Sequence, residues 1–220
     1  MRAPRFSENR TGLTALLACG IAAPLLYVAM LVLVPMGWEG YSSASQTVSE
    51  LSAIGAPTRA LWVALGIVYT LLLVAFGWGI WASARGSRAL RVVGVLMIGT
   101  AVLGLFWPPM HLREVLAAGG RTLTDTLHIV WMIASGLLTL VAMAFSAAAF
   151  GKRFRIYSIA TIVLMVSFGA LTSVAAPQME ANLPTPWIGV WERLNIAVWM
   201  LWIAVLAIAS LRRQVVRRLP

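Results

Sequence analysis

Six long, predominantly apolar stretches run along the chain, at about 11–36, 59–84, 89–107, 125–150, 156–176 and 187–211. Each is about as long as the ~20 apolar residues that carry a helix across a bilayer. The breaks between them, at 37–58, 85–88, 108–124, 151–153 and 177–186, hold turn formers and charges. Membrane barrel strands would alternate over segments of about ten residues. These runs are continuous and about twice that length, and a helix satisfies its own backbone hydrogen bonds in lipid. The pattern predicts an all-α integral membrane protein: one domain over 1–220, built as a six-transmembrane-helix bundle.

Composition agrees. The chain has 220 residues, 60% of them hydrophobic and 11% charged, and a mean hydropathy of +0.87. That is not a soluble composition, and six spans leave no room for a separate soluble domain. The formal net charge of +10 would suggest nucleic acid in a soluble protein. Here it records topology. With the N-terminus inside, the inner side holds Arg2, Arg5, Arg10, Arg85, Arg88, Arg91, Lys152, Arg153, Arg155, Arg212, Arg213, Arg217 and Arg218, which is 13 of the 17 cations. The outer side holds Arg59, Arg113, Arg121 and Arg193 with Glu39, Glu50, Glu114, Asp125, Glu180 and Glu192. The positive-inside rule then puts both termini in the cytoplasm. The basic C-terminal tail is expected at the inner headgroups, where anionic lipid attracts it.

The first apolar run continues to Met36, longer than a signal-peptide core, so it reads as a retained helix. Cys19 is the single cysteine and lies within that run, so no disulfide framework or cysteine-built metal site is expected. There is no internal repeat. Trp38, Trp62, Trp107, Trp187 and Trp191 fit an interfacial belt, and Gly94, Gly99 and Gly104 fit close helix packing. Neither set indicates a cofactor, and which cofactor, if any, the protein carries is left unknown by the sequence.

Candidate chemistry gathers on the outer side, where the connections are long. In the first, Thr47 and Glu50 have capping-box spacing, Val48, Leu51 and Ile54 form an apolar stripe, and Gly55 is a stop, so a short interfacial helix is expected. Ser49 and Glu50 there either cap that turn or face a ligand. Asp125 and His128 are three residues apart on one face of the fourth span. With His111, which follows Trp107-Pro108-Pro109-Met110, they form a candidate metal trio, although Asp125 also sits where it would cap a helix begun at Thr122. Glu192 and Arg193 fall about two turns into the sixth span, where ionised groups should face the bundle interior or a wet cavity, with Glu192 or Asp125 neutralising Arg193. Together these residues predict a polar cavity opening to the outer face.

The order and spacing of Gln46–Thr58, Pro109-Met110-His111, Thr124–His128 and Gly189–Arg193 resemble the bacterial and archaeal membrane family called domain of unknown function 998. The resemblance covers almost the whole chain and places the protein in a bacterial cytoplasmic membrane, while the family name implies no activity. A more distant similarity is to the alkaline ceramidase and adiponectin-receptor hydrolases. The chain departs from those in having six rather than seven spans and no HxxxH on the last.

The leading functional expectation is a non-enzymatic protein whose outer cavity binds a lipid headgroup, a small molecule or a membrane partner. Membrane lipids are the expected partners, with another membrane protein or a second copy of the chain as alternatives, and nucleic acid is not expected. A metal-dependent hydrolase acting on an outer-leaflet ester or amide, using His111, Asp125 and His128, is the first alternative. A small transporter is the second, against which stand the absence of paired Gly/Pro-broken helices and of a mid-membrane charge.

Overall fold

The computed structural model describes residues 5–216. Arg2, Arg217 and Arg218, counted above among the inner cations, lie outside the described residues. The helices are α1 (Arg5–Leu33), α2 (Arg59–Ser83), α3 (Arg88–Leu105), the short α4 (Arg113–Ala117), α5 (Leu123–Ala149), α6 (Lys152–Glu180) and α7 (Ile188–Val216), with 3-10 turns at Val34–Gly37 and Ser49–Ser52. All but α4 are long and apolar enough to cross a membrane. The protein is an all-α, six-span membrane bundle, and its even number of spans leaves residues 5 and 216 at the same end. That end is called proximal below, and the opposite one distal.

Two helix ends differ from the apolar runs that predict them. α3 stops at Leu105, because Pro108 and Pro109 lack amide hydrogens and Pro108 restricts the residue before it. α6 starts at Lys152 and runs past Pro177 to Glu180. Lys152, Arg153 and Arg155 are excluded from an apolar run but not from a helix, since long basic side chains lay their stems on apolar surface and keep their charge in water.

The spanning helices pack as a ring in the order α1, α2, α3, α5, α6, α7 and back to α1. Glycine decides how closely α2 and α3 cross. A Cβ on Gly94 would sit 2.7 Å from the Trp81 amide nitrogen, and one on Gly77 would sit 3.0 Å from that of Ile98. Of the three glycines singled out by sequence, Gly94 has this role, whereas a Cβ on Gly99 meets nothing within 4 Å.

The proximal half of the ring is solid. Leu17 of α1, Phe76 and Ile80 of α2, Val93 of α3 and Trp202, Ile203 and Leu206 of α7 are completely buried in one cluster. At the distal end a smaller cluster of Ala53, Ala56, Met110, Met179 and Ile188 joins the three distal connections to one another. A cavity lies between these two packed regions.

Candidate functional site

The first distal connection folds inward instead of lying on the surface as a helix. Its single turn at Ser49–Ser52 buries Leu51 and Glu50 completely, and Val48 almost so. Thr47 and Glu50 make the reciprocal bonds expected of them: Glu50 N donates to Thr47 Oγ1 (3.2 Å), and the Thr47 amide and hydroxyl donate to Glu50 Oε2 (2.7 and 3.0 Å). Arg113 of α4 completes the carboxylate, with Nε on Oε1 (2.7 Å) and Nη2 on Oε2 (2.8 Å). Four donors saturate the roughly four acceptor positions of a carboxylate, so Glu50 is a tether with no capacity left for a ligand. Its hydrogen bonds raise the pKa of Arg113 still further, the first of several causes. Sequence reasoning missed Arg113, which is 63 residues from Glu50 and carries no motif.

Glu192 and Arg193 grip the same connection from α7, side by side. Arg193 forms no ion pair with Glu192 or Asp125, contrary to the pairing expected from sequence. Nη1 shares its hydrogens among the carbonyls of Ser43 (2.7 Å), Gln46 (3.0 Å) and Gly189 (3.1 Å), and Nη2 donates to the Tyr41 hydroxyl (2.7 Å). That hydroxyl donates in turn to the Thr47 carbonyl (2.7 Å). Burial pushes the Tyr41 pKa up to about 12, so it stays a neutral donor at ordinary pH. The amides of Gly189 and Val190 at the start of α7 donate to the Ala44 carbonyl, and Thr185 ties Ser45 instead of capping the helix. Glu192 accepts from the Val48 amide on Oε2 and from the Ser49 hydroxyl on Oε1 (3.2 Å). Two donors leave about two acceptor positions unfilled.

The candidate metal trio separates. Asp125 Oδ1 accepts from the His111 amide (2.7 Å), and Oδ2 accepts from His111 Nδ1 (2.9 Å), Thr122 N (2.8 Å) and Thr122 Oγ1 (2.9 Å). The capping box at Thr122 is thus present, and it occupies the carboxylate. His128 instead donates from Nδ1 to the Pro108 carbonyl (2.8 Å), between the rings of Trp107 and Trp131. Among the described residues no three His, Cys, Asp or Glu side chains converge to hold a metal ion. His111 and Asp125 form a pair that anchors the second distal connection to α5. His111 also faces Ile54 in an isolated parallel bridge that joins the first connection to the second.

The cavity has a volume of about 570 Å³. That falls in the range of roughly 300–1,000 Å³ typical of small-molecule sites. Its walls come from all six spanning helices, mainly their distal halves, for example Met30, Ile67, Ala101, Ile133, Val166 and Ile196, and from the turn carrying Val48, Ser49 and Ser52. Trp62, Trp107, Trp131 and Trp199 also line it, so two tryptophans expected in an interfacial belt face this space. Several hydroxyls on the wall are spent on their own helices: Thr100 donates to Leu96 O, Ser135 to Trp131 O, and Thr172 to Phe168 O. Much of the wall is therefore apolar in effect, while Trp199 Nε1 on it is buried without a hydrogen-bond partner among the described residues. Of the seven residues singled out by sequence, only Ser49 and Glu192 line it, while Glu50, His111, Asp125, His128 and Arg193 hold the surrounding connections in place. Among the described residues Glu192 is the one Asp, Glu, Lys, Arg or His on its wall, and Asn195, one turn along α7, is tied through Nδ2 to the Met165 carbonyl of α6 (2.6 Å).

A family model described as protein of unknown function (DUF998) matches residues 21–209. The chain belongs to this family. No curated protein and no solved structure matches it. The match runs from the middle of α1 nearly to the end of α7, so the DUF998 unit takes in every helix that walls the cavity, both ends of the Glu50–Arg113 tether and the Glu192–Arg193 pair.

Proposed function

We propose that this protein binds an amphiphile, a lipid or lipid-like small molecule, in the distal cavity. It would do so in a bacterial cytoplasmic membrane, with both termini inside and the cavity in the extracytoplasmic half. The observation that carries the reading is the contrast between a solid proximal core and a distal space of about 570 Å³ whose wall is mostly apolar and carries one carboxylate, Glu192, beside Ser49. An apolar space of that size accepts a chain, and the few polar groups at one place on its wall fix a head. Glu50, His111 and Asp125, first considered for chemistry, are bound to one another's connections instead of facing the cavity, which supports binding over catalysis.

Gly66 and Gly136 provide the test. Both line the cavity, and a Cβ on either meets no atom within 4 Å. Leucine at these positions adds volume to the cavity without displacing backbone, and glycine is the poorer helix former by about 0.8–1 kcal/mol relative to alanine. The Gly66→Leu/Gly136→Leu variant is expected to purify in normal yield with its co-purifying lipid, read by native mass spectrometry, reduced to background. Equal retention by wild type and variant would count against an amphiphile in this cavity. Orientation is tested separately by cysteine accessibility. Cysteines at Ser43 and Gly120 should react with an impermeant reagent in intact cells, and one at Gly86 should be protected; the reverse pattern would invert the topology.

A further inference from the structure

Hydrogen-bond accounting separates Glu192 from the other charged groups of the distal end. Glu50 and Asp125 each accept from four donors, and Arg193 donates to three carbonyls and a hydroxyl. Neither carboxylate has capacity left over, and Arg193 commits both Nη1 hydrogens and one on Nη2 to the first distal connection and its own helix. Glu192 accepts from two donors, lines the cavity and, among the described residues, is the one Asp, Glu, Lys, Arg or His on its wall. Arg193 next to it is turned away into the carbonyls of the first distal connection, so among the described residues no Lys, Arg or His lines the cavity beside the carboxylate.

In surroundings this apolar, a carboxylate oxygen short of donors is completed best by a charged or strongly polar donor, because charge-assisted hydrogen bonds are the strong ones and low dielectric magnifies them. The converse holds for an anion. A phosphate or carboxylate head would meet a like charge with no guanidinium or ammonium on the wall to pair with it, and buried charges without partners are costly. Ser49 does not reverse this preference, since its hydroxyl is already donated to Glu192.

We infer that the amphiphile carries a hydrogen-bond-donating, cationic head, a primary ammonium on a long apolar chain, held by Glu192, and that the site discriminates against anionic amphiphiles of the same length. The inference rests on the amphiphile reading above and adds the chemistry of the head. A free long-chain amine and an amine-bearing lipid share this chemistry.

Four wall tryptophans supply the readout. A long-chain primary amine brominated near its far end, and the brominated fatty acid of equal length, are titrated separately into the purified protein in a detergent with an uncharged head. Quenching that persists in Gly66→Leu/Gly136→Leu is subtracted as micelle partitioning. The amine is expected to half-saturate at a concentration lower than the acid by roughly ten- to a hundredfold, the span of a charge-assisted hydrogen bond. Glu192→Gln, close in shape, should bring the two probes within about threefold, whereas Asp125→Asn should not, because Asp125 is off the wall. An amine-bearing phospholipid with brominated chains then separates the two sources: competition by it places the head on a lipid, and competition by the free amine alone places it on a small amphiphile. Either result supports the assignment. If amine and acid saturate equally in the wild type, the head chemistry is wrong and the amphiphile reading survives. If neither gives saturable quenching above the filled-cavity variant, both fail. The wild-type comparison decides even if Glu192→Gln does not fold.

Discussion

Replacing Arg113 by alanine is expected to lower the stability of the protein by about 3–5 kcal/mol, the cost of removing one partner from a buried ion pair. The physical reason is Glu50, which is completely buried and would keep only Thr47 as a donor. The same guanidinium also reaches the Ser45 carbonyl and the Thr185 hydroxyl (both 3.2 Å), so its loss also weakens the junction of the three distal connections. Thermal unfolding in a fixed detergent measures the effect. In the double variant Arg113→Ala/Glu50→Gln the losses should fall short of additivity by about 0.5–3 kcal/mol, because the second change removes the charge stranded by the first. Strict additivity would mean that the pair does not act as a unit.

The second large effect is expected at Gly189, in the first turn of α7. A Cβ there would run into the carbonyl oxygens of Ser43 and Gln46 and sit 2.8 Å from Arg193 Nη1. Two of these atoms are backbone, so no side chain can swing aside. Gly189→Ala should therefore cost about 1–3 kcal/mol, as overpacking does elsewhere. It should also weaken retention of a cavity ligand, since Val48 and Ser49 leave Glu192 when the connection lifts off α7. Gly136→Ala, which meets no atom within 4 Å, is the matched control and should not lower stability. Equal melting temperatures for the two alanine variants would remove the close approach at Gly189 from the explanation.

The spans were legible because hydrophobic length is a local property. So was the Thr122–Asp125 capping box, set by a spacing of three residues, and so were the reciprocal bonds between Thr47 and Glu50. The Glu50–Arg113 tether was not legible, since it joins two connections that only the folded ring brings together. The same limit misled the reading of Arg193, which sequence adjacency paired with Glu192 but whose geometry directs it to backbone carbonyls. His111 and His128 looked convergent because both lie near the same distal helix ends. Their separation follows from which acceptor each Nδ1 finds, Asp125 for one and the Pro108 carbonyl for the other. The polar residues predicted a polar cavity, but the largely apolar wall that the structure shows had no signature of its own, because an apolar wall facing a void and an apolar wall facing lipid have the same composition.

That ambiguity sets the most direct test of the central claim, that the distal half of the ring encloses a binding space. On α2, Val63, Gly66, Ile67 and Thr70 line the cavity, whereas Leu61, Val68 and Leu71 are exposed on the same helix but do not line it. A long-chain primary amine bearing a photoreactive diazirine is equilibrated with the protein in vesicles, irradiated and mapped by peptide mass spectrometry, with excess unlabelled amine as competitor. The predicted result is competable labelling at residues 63, 66, 67 and 70 that disappears in Gly66→Leu/Gly136→Leu, over a non-competable background at 61, 68 and 71. Labelling confined to residues 61, 68 and 71, unaffected by competitor, would contradict the claim.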